Sequence, residues 1–487
     1  MKSAFAHTNL PPLPKNWVWS TMNDVCLKVQ DGTHFSPQNQ LPHGRYRYLT
    51  AKNIRPLGLD LSDVSYIEEE EHRAIYTRCD PKKGDVLLVK DGVNTGDVAL
   101  NTLDNEFSLL SSVCLLRPKP DLLSSPFLRY FLQSPVGARL LTGKMTGTAI
   151  RRIVLRQIKE TPIPIAPLLE QQSLVAEIEK QFSRLDEAVA NLRRVKANLK
   201  RYKAAVLKAA VQGKLTEEWR KAHPDVQPAS ELLKRILADR RAKWNGQGKY
   251  KEAARLDVTL PLLPARWTWA TLDQIGQAGR PIIYGIIKPG RHVPDGVPYV
   301  RVKEMKDGRI DVANLRRTSL ERATKFARAT LRTGDIFISK DGTIGRVAVV
   351  PPELAGGNIT QHVMRAPTHP AMCRAYIVWA LRSDWCQRWL TGETRGVALQ
   401  GVNVEDFRRL PMPIPPVDEQ EQVVGEVERR LSIIEELDTV VLANQRRAES
   451  FRSSLLQRAF EGKLLASVSD KSPSLLLLDA EFSHEGA

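Results

Sequence analysis

The second half of this 487-residue chain repeats the first. Matching segments recur in the same order at an offset of about 250 residues, which is far too long for one unit of a solenoid. The pairs are 13–21 with 263–271, 84–92 with 334–342, 127–134 with 376–383, 162–167 with 411–416, 170–171 with 419–420, and 213–215 with 462–464. The repeat therefore predicts two copies of a whole globular domain, each followed by a helix.

Each copy carries strand and helix signals in the same order. A Gly-Asp pair precedes an alternating apolar run, as at 335–339, and a Lys-Asp-Gly turn follows the run. A pattern typical of a helix comes next, at 127–134 and 376–383, and a proline-rich exit ends the copy. We therefore predict the mixed α/β (α+β) class, with two similar globular domains.

A long helix is predicted after each proline-rich exit, because proline suits the entry to a helix and not its interior. Apolar residues then recur at steps of three or four. They are Leu174, Ile178, Phe182, Leu185, Val189, Leu192, Val195, Leu199, Tyr202 and Val206 in the first copy, and Val424, Val427, Leu431, Ile434, Leu437, Val441, Phe451 and Leu455 in the second. A stripe of about 65–70 Å, at ~1.5 Å per residue, needs a partner helix. We expect the two helices to form one antiparallel coiled coil; packing of each helix on its own domain or on another subunit is the open alternative.

The charge balance indicates a polyanionic partner. The chain has 72 Lys+Arg against 55 Asp+Glu, a net charge of +17 and a pI near 9.6, which favours nucleic acid. Membrane phosphate would attract the same charge, but no apolar run approaches the roughly 20 residues that span a bilayer, and the N-terminus lacks the apolar core of a signal peptide. We therefore predict a cytoplasmic protein with no membrane contact.

The motifs of a self-sufficient DNA enzyme are missing from the sequence. No G-x-x-x-x-G-K-[ST] loop occurs, no Pro-Pro pair precedes an aromatic residue as a base methyltransferase requires, and the nine histidines and five cysteines have no metal-ligand spacing. Asp85 and Asp335 precede equivalent strands, but a turn explains them better than a nuclease site. We therefore predict no catalytic residue and no metal site. A DNA methyltransferase or nuclease with diverged motifs, and a coiled-coil scaffold with no DNA role, are the alternatives.

Several motifs together resemble a known family. They are the Leu-Pro-x-x-Trp-x-Trp opening, the Asp31-Gly32-Thr33-His34 segment, the Gly-Asp and Lys-Asp-Gly blocks, the Pro-x-Pro exit into Glu-Gln-Gln at 170–172, and the Gly-Lys-Leu ends. Over residues 10–465 the chain resembles the specificity subunits of Type I restriction–modification systems.

The resemblance implies a subunit that aims a complex and performs no reaction itself. Each globular part would be a target recognition domain that reads one half of a bipartite, asymmetric site in double-stranded DNA. The paired helices would set the gap between the halves and dock two modification (methyltransferase) subunits, with an optional pair of restriction subunits. This chain would bind no cofactor, because S-adenosylmethionine, ATP and Mg²⁺ would belong to the partner subunits.

The repeat and the resemblance divide the chain into six segments. They are target recognition domain 1 (1–165), spacer helix 1 (166–215), a helical linker (216–260), target recognition domain 2 (261–415), spacer helix 2 (416–465) and a flexible tail (466–487). The linker carries a basic run at 239–244, which either touches phosphate or forms a solvated helix face.

Loop residues that differ between the copies are the candidates for DNA contact. The segment 31–35 has no copy, and its counterpart region, 279–285, has another sequence. Arginine binds guanine edges with two hydrogen bonds, whereas lysine more often contacts phosphate. The candidates are Thr33, His34, Lys90, Arg151 and Arg152 in the first domain, and Arg280, Tyr284, Lys340, Arg346 and Arg395 in the second. For each of them, a solvated surface residue is the alternative.

Overall fold

The computed structural model describes residues 10–37, 40–143, 152–244, 250–256, 258–306, 308–392 and 401–465. The chain divides into two compact units, one made of Met1–Arg193 with Leu442–Ala487 and the other of Arg194–Val441. Each unit contains one globular domain and a stretch of each long helix. The predicted flexible tail, 466–487, lies outside the described residues.

The described part of the first domain contains eleven strands and five short helices. The strands are β1 (Val18–Thr21), β2 (Cys26–Asp31), β3 (Tyr46–Leu49), β4 (Ile54–Arg55), β5 (Gly58–Leu59), β6 (Ser65–Ile67), β7 (Val86–Val89), β8 (Val98–Leu100), β9 (Phe107–Leu109), β10 (Val113–Pro118) and β11 (Pro162–Ile165). The helices are α1 (Met22–Val25), α2 (Glu69–Arg78), α3 (Ser125–Gln133), α4 (Pro135–Thr142) and α5 (Leu155–Lys159). The predicted helix at 127–134 is α3, which begins after Ser124 because the Ser124 hydroxyl accepts a hydrogen bond from the Phe127 N–H.

A four-stranded antiparallel sheet, in the order β2-β10-β7-β8, forms the framework of this domain. Its strand β7 is buried along its whole length. Val86 and Leu88 pack with the core of α3 and α4, whereas Leu87 and Val89 pack on the other face with Phe107 of β9. Two covered faces explain why the strand is apolar at every position.

A long helix and a helical linker follow the first domain. The helix is α6 (Leu168–Val211), and the linker contains α7 (Glu217–Ala222) and α8 (Ala229–Ala242). Leu232 and Ile236 of α8 are buried in the core of the second domain, so the linker helix belongs to the second unit.

The second domain repeats the first strand for strand. Its strands are β12 (Thr268–Thr271), β13 (Ile283–Tyr284), β14 (Val297–Val300), β15 (Met305–Lys306), β16 (Arg309–Ile310), β17 (Arg316–Thr318), β18 (Ile336–Ser339), β19 (Val347–Val349), β20 (Asn358–Ile359), β21 (Val363–Ala366) and β22 (Pro411–Ile414). Its helices are α9 (Leu320–Lys325), α10 (Arg374–Arg382), α11 (Asp384–Thr391) and α12 (Val404–Arg408), and the second long helix, α13 (Val417–Phe460), follows. The sheet orders β13-β21-β18-β19 and β17-β14-β20 match β2-β10-β7-β8 and β6-β3-β9. The predicted duplication and the mixed α/β class are therefore confirmed.

The proline-rich exits are strands before the helices begin. β11 pairs with β1 so that Trp19 faces Pro164, and β22 pairs with β12 so that Trp269 faces Pro413. Proline is tolerated because each ladder has two strands, which leaves one edge of the proline strand free of ladder hydrogen bonds. The Trp-x-Trp and Pro-x-Pro motifs recur together because they are the two strands of one ladder.

The two long helices pair antiparallel within each unit. In the first unit the Arg452 guanidinium of α13 lies 4.5 Å from the ring centroid of Phe182, and Ile178, earlier on α6, shares a core cluster with Phe460 at the end of α13. In the second unit the shared cluster includes Val206, Leu207, Val427 and Leu431. The predicted antiparallel coiled coil is therefore confirmed, and the two helices are 44 residues each, within the predicted 166–215 and 416–465.

Four residues of the predicted seam are exposed instead: Val195, Tyr202, Leu437 and Phe451. The buried apolar positions of α13 are Val423, Val427, Leu431, Ile434, Val441, Ala448, Leu455, Leu456, Ala459 and Phe460. The prediction was wrong at those four positions because a straight helix of 3.6 residues per turn drifts about 20° per heptad against a 3.5-residue repeat.

A buried glutamine docks the first turn of each long helix on its domain. The Gln171 side-chain oxygen accepts a hydrogen bond from the Ser124 N–H at 2.9 Å, and the Gln420 oxygen accepts one from the Cys373 N–H at 2.9 Å. The amide nitrogen of Gln171 also donates to the Ala166 carbonyl, and that of Gln420 donates to the Pro415 carbonyl. Each glutamine therefore ties the start of its helix to the helix and loop that precede it.

The glutamate beside each glutamine accepts a hydrogen bond from a repeated tryptophan. Trp17 Nε1 donates to Glu170 at 2.9 Å, and Trp267 Nε1 donates to Glu419 at 2.8 Å. Glu419 is fully buried and also accepts from the Thr216 hydroxyl and pairs with Arg220. The repeated Trp and Glu-Gln motifs are therefore two sides of one contact.

The Gly-Lys-Leu motifs end the long helices at places with no room for a Cβ atom. Gly213 and Gly462 have positive φ angles of 70° and 73°, a conformation that glycine adopts freely. A Cβ at Gly213 would lie 2.6 Å from Pro264, and one at Gly462 would lie 2.5 Å from Pro14. Within each unit, the end of a long helix therefore abuts the Leu-Pro motif that opens the domain.

We predict that Glu419→Ala destabilises the protein by about 3–5 kcal/mol, because it leaves Arg220 and the Trp267 N–H without their buried acceptor. The matched variant Glu170→Ala should cost about 1 kcal/mol, because the half-buried Glu170 accepts one tryptophan hydrogen bond. Urea denaturation followed by tryptophan fluorescence and circular dichroism measures both. Equal losses would contradict this account of the second contact.

Candidate nucleic-acid interface

Each domain presents a tight turn between the short parallel-paired strand and the centre of the four-stranded sheet. We call these the tip turns, 110–113 after β9 and 360–363 after β20. Three backbone hydrogen bonds hold each one to neighbouring segments. They run from Leu110 to Leu49, from Ser111 to Thr33 and from Lys90 to Ser112 in the first domain, and from Thr360 to Val300, from Gln361 to Ile286 and from Lys340 to His362 in the second. The backbone frame of the two domains is therefore the same at this place, while the side chains differ.

The segment after β2 has a structural counterpart that the sequence comparison missed. Asp31 pairs with Cys114 on β10, and Tyr284 pairs with the equivalent Met364 on β21, so Tyr284 occupies the position of Asp31. The glycine that follows is required in both domains, since a Cβ would lie 1.9 Å from a carbonyl oxygen at either Gly32 or Gly285. The expectation that 31–35 has no copy was therefore wrong: the backbone is repeated at 284–287 with other side chains.

In the first domain, three candidate residues contact two carboxylates and a fourth, Thr33, lies in the adjacent loop. Arg78 and Lys90 approach Asp31 at 2.9 and 3.4 Å, and His34 lies 3.5 Å from the same carboxylate. Asp91 pairs with Lys90 at 3.2 Å and with Arg152 at 3.1 Å. The Thr33 hydroxyl accepts from the Phe35 N–H at 3.1 Å and so shapes the adjacent loop. The structure therefore brings Thr33, His34, Lys90 and Arg152 together.

The Lys90 ammonium group faces inward. Its side chain is 2% exposed and lies between the carboxylates of Asp31 and Asp91. A buried lysine is stable in the charged form when opposite charges surround it, and here two do. These ion pairs engage the ammonium inside the domain, and DNA contact by Lys90 stays a prediction.

The equivalent lysine of the second domain is more accessible. Lys340 is 21% exposed and pairs with Asp341 at 3.0 Å. His362 Nδ1 lies 2.8 Å from the same carboxylate oxygen, Asp341 Oδ2. Burial raises the pKa of Asp341, but the hydrogen bonds from His362 and Lys340 outweigh it and leave that pKa below its ordinary value. The Asp341 carboxylate therefore orients the side chains of both Lys340 and His362.

Arg280 and Arg346 are held inside the second domain. Arg280 donates two hydrogen bonds to Asp335, at 2.6 and 2.7 Å, and its side chain is largely buried. Arg346 donates to the backbone carbonyls of Val302 and Met305. These contacts give Arg280 and Arg346 roles in holding the fold of the domain, and DNA contact by either residue stays a prediction.

The remaining candidates are placed as follows. Tyr284 is exposed at the end of β13. Arg151 and Arg395 lie outside the described residues. DNA contact by Thr33, His34, Arg152, Tyr284 and Lys340 stays a prediction.

The two aspartates considered as nuclease carboxylates belong to turns. Asp85 accepts two hydrogen bonds from Arg117, at 2.8 and 2.9 Å, and one from the Lys82 N–H at 2.7 Å. Asp335 accepts an equivalent bond from the Arg332 N–H at 2.9 Å in addition to those from Arg280. The pKa of Arg117 is raised by its hydrogen bond to Asp85. Both carboxylates are saturated by arginine and backbone, as the turn interpretation requires.

Metal and membrane features are missing from the described ranges. Among those residues, no group of three or more His, Cys, Asp or Glu side chains is arranged to hold a metal ion. None of the helices described here combines the length and apolar content of a membrane-spanning segment. The five cysteines are free thiols, and burial raises the pKa of Cys26, Cys79 and Cys386 to about 12. Cys26, Cys79, Cys114 and Cys386 are buried, and Cys373 is partly buried.

The basic run of the linker is partly structural. Arg240 donates to the backbone carbonyl and the carboxylate of the buried Asp273, which also accepts from Arg408. Arg241 is exposed and pairs with Glu252. One arginine of the run therefore anchors the linker helix to the second domain, and the next forms part of a solvated face.

The tip turns were missed by the sequence analysis. Ser111 and Ser112 in the first domain, and Gln361 and His362 in the second, fall outside every repeated block. The signal that could have revealed them is the glycine shared by Asp31-Gly32 and Tyr284-Gly285, because it aligns the partner segments that hold the turns.

Comparison with known proteins identifies the family. The family described as "Type I restriction modification DNA specificity domain" matches residues 14–201 and 269–436, which together are more than two thirds of the chain. The chain belongs to this family.

Two curated relatives carry the same description. The Type I restriction enzyme EcoBI specificity subunit of Escherichia coli is 26% identical over 383 residues, which are 78% of this chain and 74% of the relative. The EcoKI specificity subunit of Escherichia coli strain K12 is 23% identical over 478 residues, 95% of this chain and 92% of the relative.

Two solved structures share the fold. A chain from a structure titled for complex assembly and conformational transition of the type I R-M system matches with a TM-score of 0.62 at 17% identity, over 93% of this chain and 100% of that chain. The HsdS subunit from Thermoanaerobacter tengcongensis matches with a TM-score of 0.51 at 17% identity, over 93% and 98%. At this identity the likeness establishes the fold alone.

We predict that Lys90→Met destabilises the protein by about 3–5 kcal/mol, because it leaves the Asp31 and Asp91 carboxylates without their buried cation. Lys340→Met should cost about 1 kcal/mol or less, because its ion pair is open to solvent. Thermal and urea unfolding of the two variants decides between a structural and a phosphate-binding lysine. If Lys90→Met keeps its stability and loses DNA affinity, the structural assignment is wrong.

Proposed function

We propose that this chain is the non-catalytic DNA-specificity subunit of a Type I restriction–modification complex, and that it recognises a bipartite, asymmetric site in double-stranded DNA. The observation that carries this proposal is the pair of tip turns. Two domains with one strand order hold the same backbone turn with the same three hydrogen bonds, yet one presents Ser111 and Ser112 and the other Gln361 and His362. One frame with two side-chain sets suits the reading of two different half-sites.

The long helices are proposed to set the gap between the half-sites and to dock two modification subunits, with an optional pair of restriction subunits. Support comes from apolar side chains that the helix pair leaves exposed. Those in the second unit are Val195, Tyr202, Ile433, Leu437 and Val440. Two of these residues lie on α6 and three on α13, and apolar side chains exposed on a helix pair are available for a protein–protein contact.

The chemistry is proposed to reside in the partners. The modification subunits would bind S-adenosylmethionine, and ATP and Mg²⁺ would likewise belong to the partner subunits. Support comes from the two aspartates nearest to a nuclease pattern, Asp85 and Asp335, whose carboxylates are saturated by arginine and backbone donors.

The proposed function predicts salt-sensitive, sequence-dependent DNA binding by the chain assembled with its modification subunits. With 6–10 phosphate contacts, affinity should fall by about 10³–10⁵-fold between 50 and 200 mM salt, because bound counterions are released. Fluorescence anisotropy with a duplex measures the slope, and mapping of methylated bases identifies the site. The isolated chain, incubated with DNA and S-adenosylmethionine or Mg²⁺, is the control. Salt-independent binding, or turnover without partners, would refute the proposal.

The helix pair predicts how the gap responds to length. Adding four residues after Val195 in α6 and four after Val441 in α13 lengthens both helices by about one turn, or ~6 Å. We expect the methylated site to keep both half-sites and to widen the gap by one or two base pairs. Sequencing of methylated DNA before and after the insertion reads this directly. An unchanged gap with full methylation would show that the helices do not set the spacing.

A further inference from the structure

The second domain has a groove beside its tip turn that no role yet explains. Its volume is about 790 Å³, and its lining includes Lys288, Lys303, Thr360, Gln361 and His362. The hairpin turn after β18 forms another part of the wall. The side chains that differ from the first domain therefore face one cavity.

The tip turn holds these side chains at fixed positions. The Val363 N–H donates to the Thr360 carbonyl at 3.1 Å, which makes Gln361 and His362 the two central residues of the turn. His362 is further fixed by Asp341 at 2.8 Å, and its Nε2 lies 3.3 Å from the Gln361 amide nitrogen. A side chain on such a frame is suited to recognition because little freedom remains to be lost on binding.

The cationic side chains that line the groove are of two kinds: two arginines have intramolecular partners, and two lysines have no acidic partner among the described residues. Arg301 is bound by Glu304, and Arg346 is bound by backbone carbonyls. Lys288 and Lys303 are exposed, and among the residues that the structure describes neither has an acidic partner within ion-pair distance. The rim therefore offers two lysines to an anion such as a phosphate.

A second observation points to a ligand. Thr360 lines the groove and is only 4% exposed. Its hydroxyl is buried and has no hydrogen-bond partner among the described residues. Unpaired buried polar atoms are rare in folded proteins and mark places where a water, an ion or a ligand completes the structure.

We propose that this groove reads a base-pair edge in one half-site, an assignment that rests on the proposed function. Gln361 is the base-contacting residue, because its amide offers the adjacent donor and acceptor that match the major-groove edge of adenine. Lys288 and Lys303 bind the flanking phosphates, and Asp341 positions His362 beside the amide. Ser111 and Ser112 hold the equivalent place in the first domain, which therefore reads another sequence in the other half-site.

The test exchanges side chains between the two tip turns, and it is done in the assembled complex. Gln361→Ser with His362→Ser gives the second domain the first domain's side chains on an unchanged backbone. We expect discrimination at one or two base pairs of one half-site to fall about 10- to 100-fold, with the other half-site unchanged. The reciprocal Ser111→Gln is the matched control and should alter the opposite half-site. Ser112 is kept because its hydroxyl accepts a hydrogen bond from the Ala51 N–H at 3.2 Å. Methylation of a randomised-site DNA library, read by sequencing, scores both halves at once.

The outcomes separate this inference from the proposed function. Unchanged recognition of both half-sites with full methylation would overturn the role of the tip turn and leave the specificity subunit intact. A wild-type complex without any sequence preference would overturn the proposed function itself.

Two single variants test the same site if the double substitution impairs folding. Gln361→Glu keeps the size of the side chain but removes the donor, so preference should move from adenine toward cytosine, whose amino group donates. Thr360→Val removes the unpaired hydroxyl at similar shape, so the unfolding midpoint should hold or rise while DNA discrimination falls several-fold. An unaltered preference in Gln361→Glu, or a lower midpoint with unaltered recognition in Thr360→Val, would count against the site.

Discussion

The Glu-Gln pair in the first turn of each long helix is the contact on which the architecture depends. Gln171 and Gln420 satisfy backbone groups that burial would otherwise leave unpaired, and Trp17 and Trp267 donate to the neighbouring glutamates. The direction in which each helix leaves its domain is thereby set. Because the same domain also packs against the end of the other helix, in the first unit through Phe460, the two helices must run antiparallel.

Duplication followed by divergence explains how one chain can recognise an asymmetric target. The strand order, the paired tryptophan and proline strands and the three hydrogen bonds of each tip turn are common to both domains. These features lie in the backbone, where a change would cost stability. The side chains carried by the turns can differ, because the three hydrogen bonds common to both turns join backbone groups.

Net positive charge did not reveal which cations face outward. Lys90 is enclosed by Asp31 and Asp91, and Arg280 is bound by Asp335, so two of the candidates for DNA contact are engaged in ion pairs within their domains. Lysines without acidic partners, such as Lys288 and Lys303, attract no attention in a sequence because lysine is common on every surface. Only the positions of the carboxylates separate these two groups of cations, and those positions follow from strand pairing.

The sequence by itself determined the duplication, the mixed α/β class and the two long helices, because these follow from periodicity and from repeated motifs. It predicted the antiparallel pairing but left another packing partner open, and the contacts between the helices decided that point. It also identified the Trp, Glu-Gln and Gly-Lys-Leu blocks without giving their partners. Only the tertiary structure decided that Trp267 meets Glu419, that Gly213 abuts Pro264, and that Gln361 shares a groove with Lys288. Contacts between residues 50 to 150 positions apart depend on strand register and on the paths of the loops, and no local pattern encodes them.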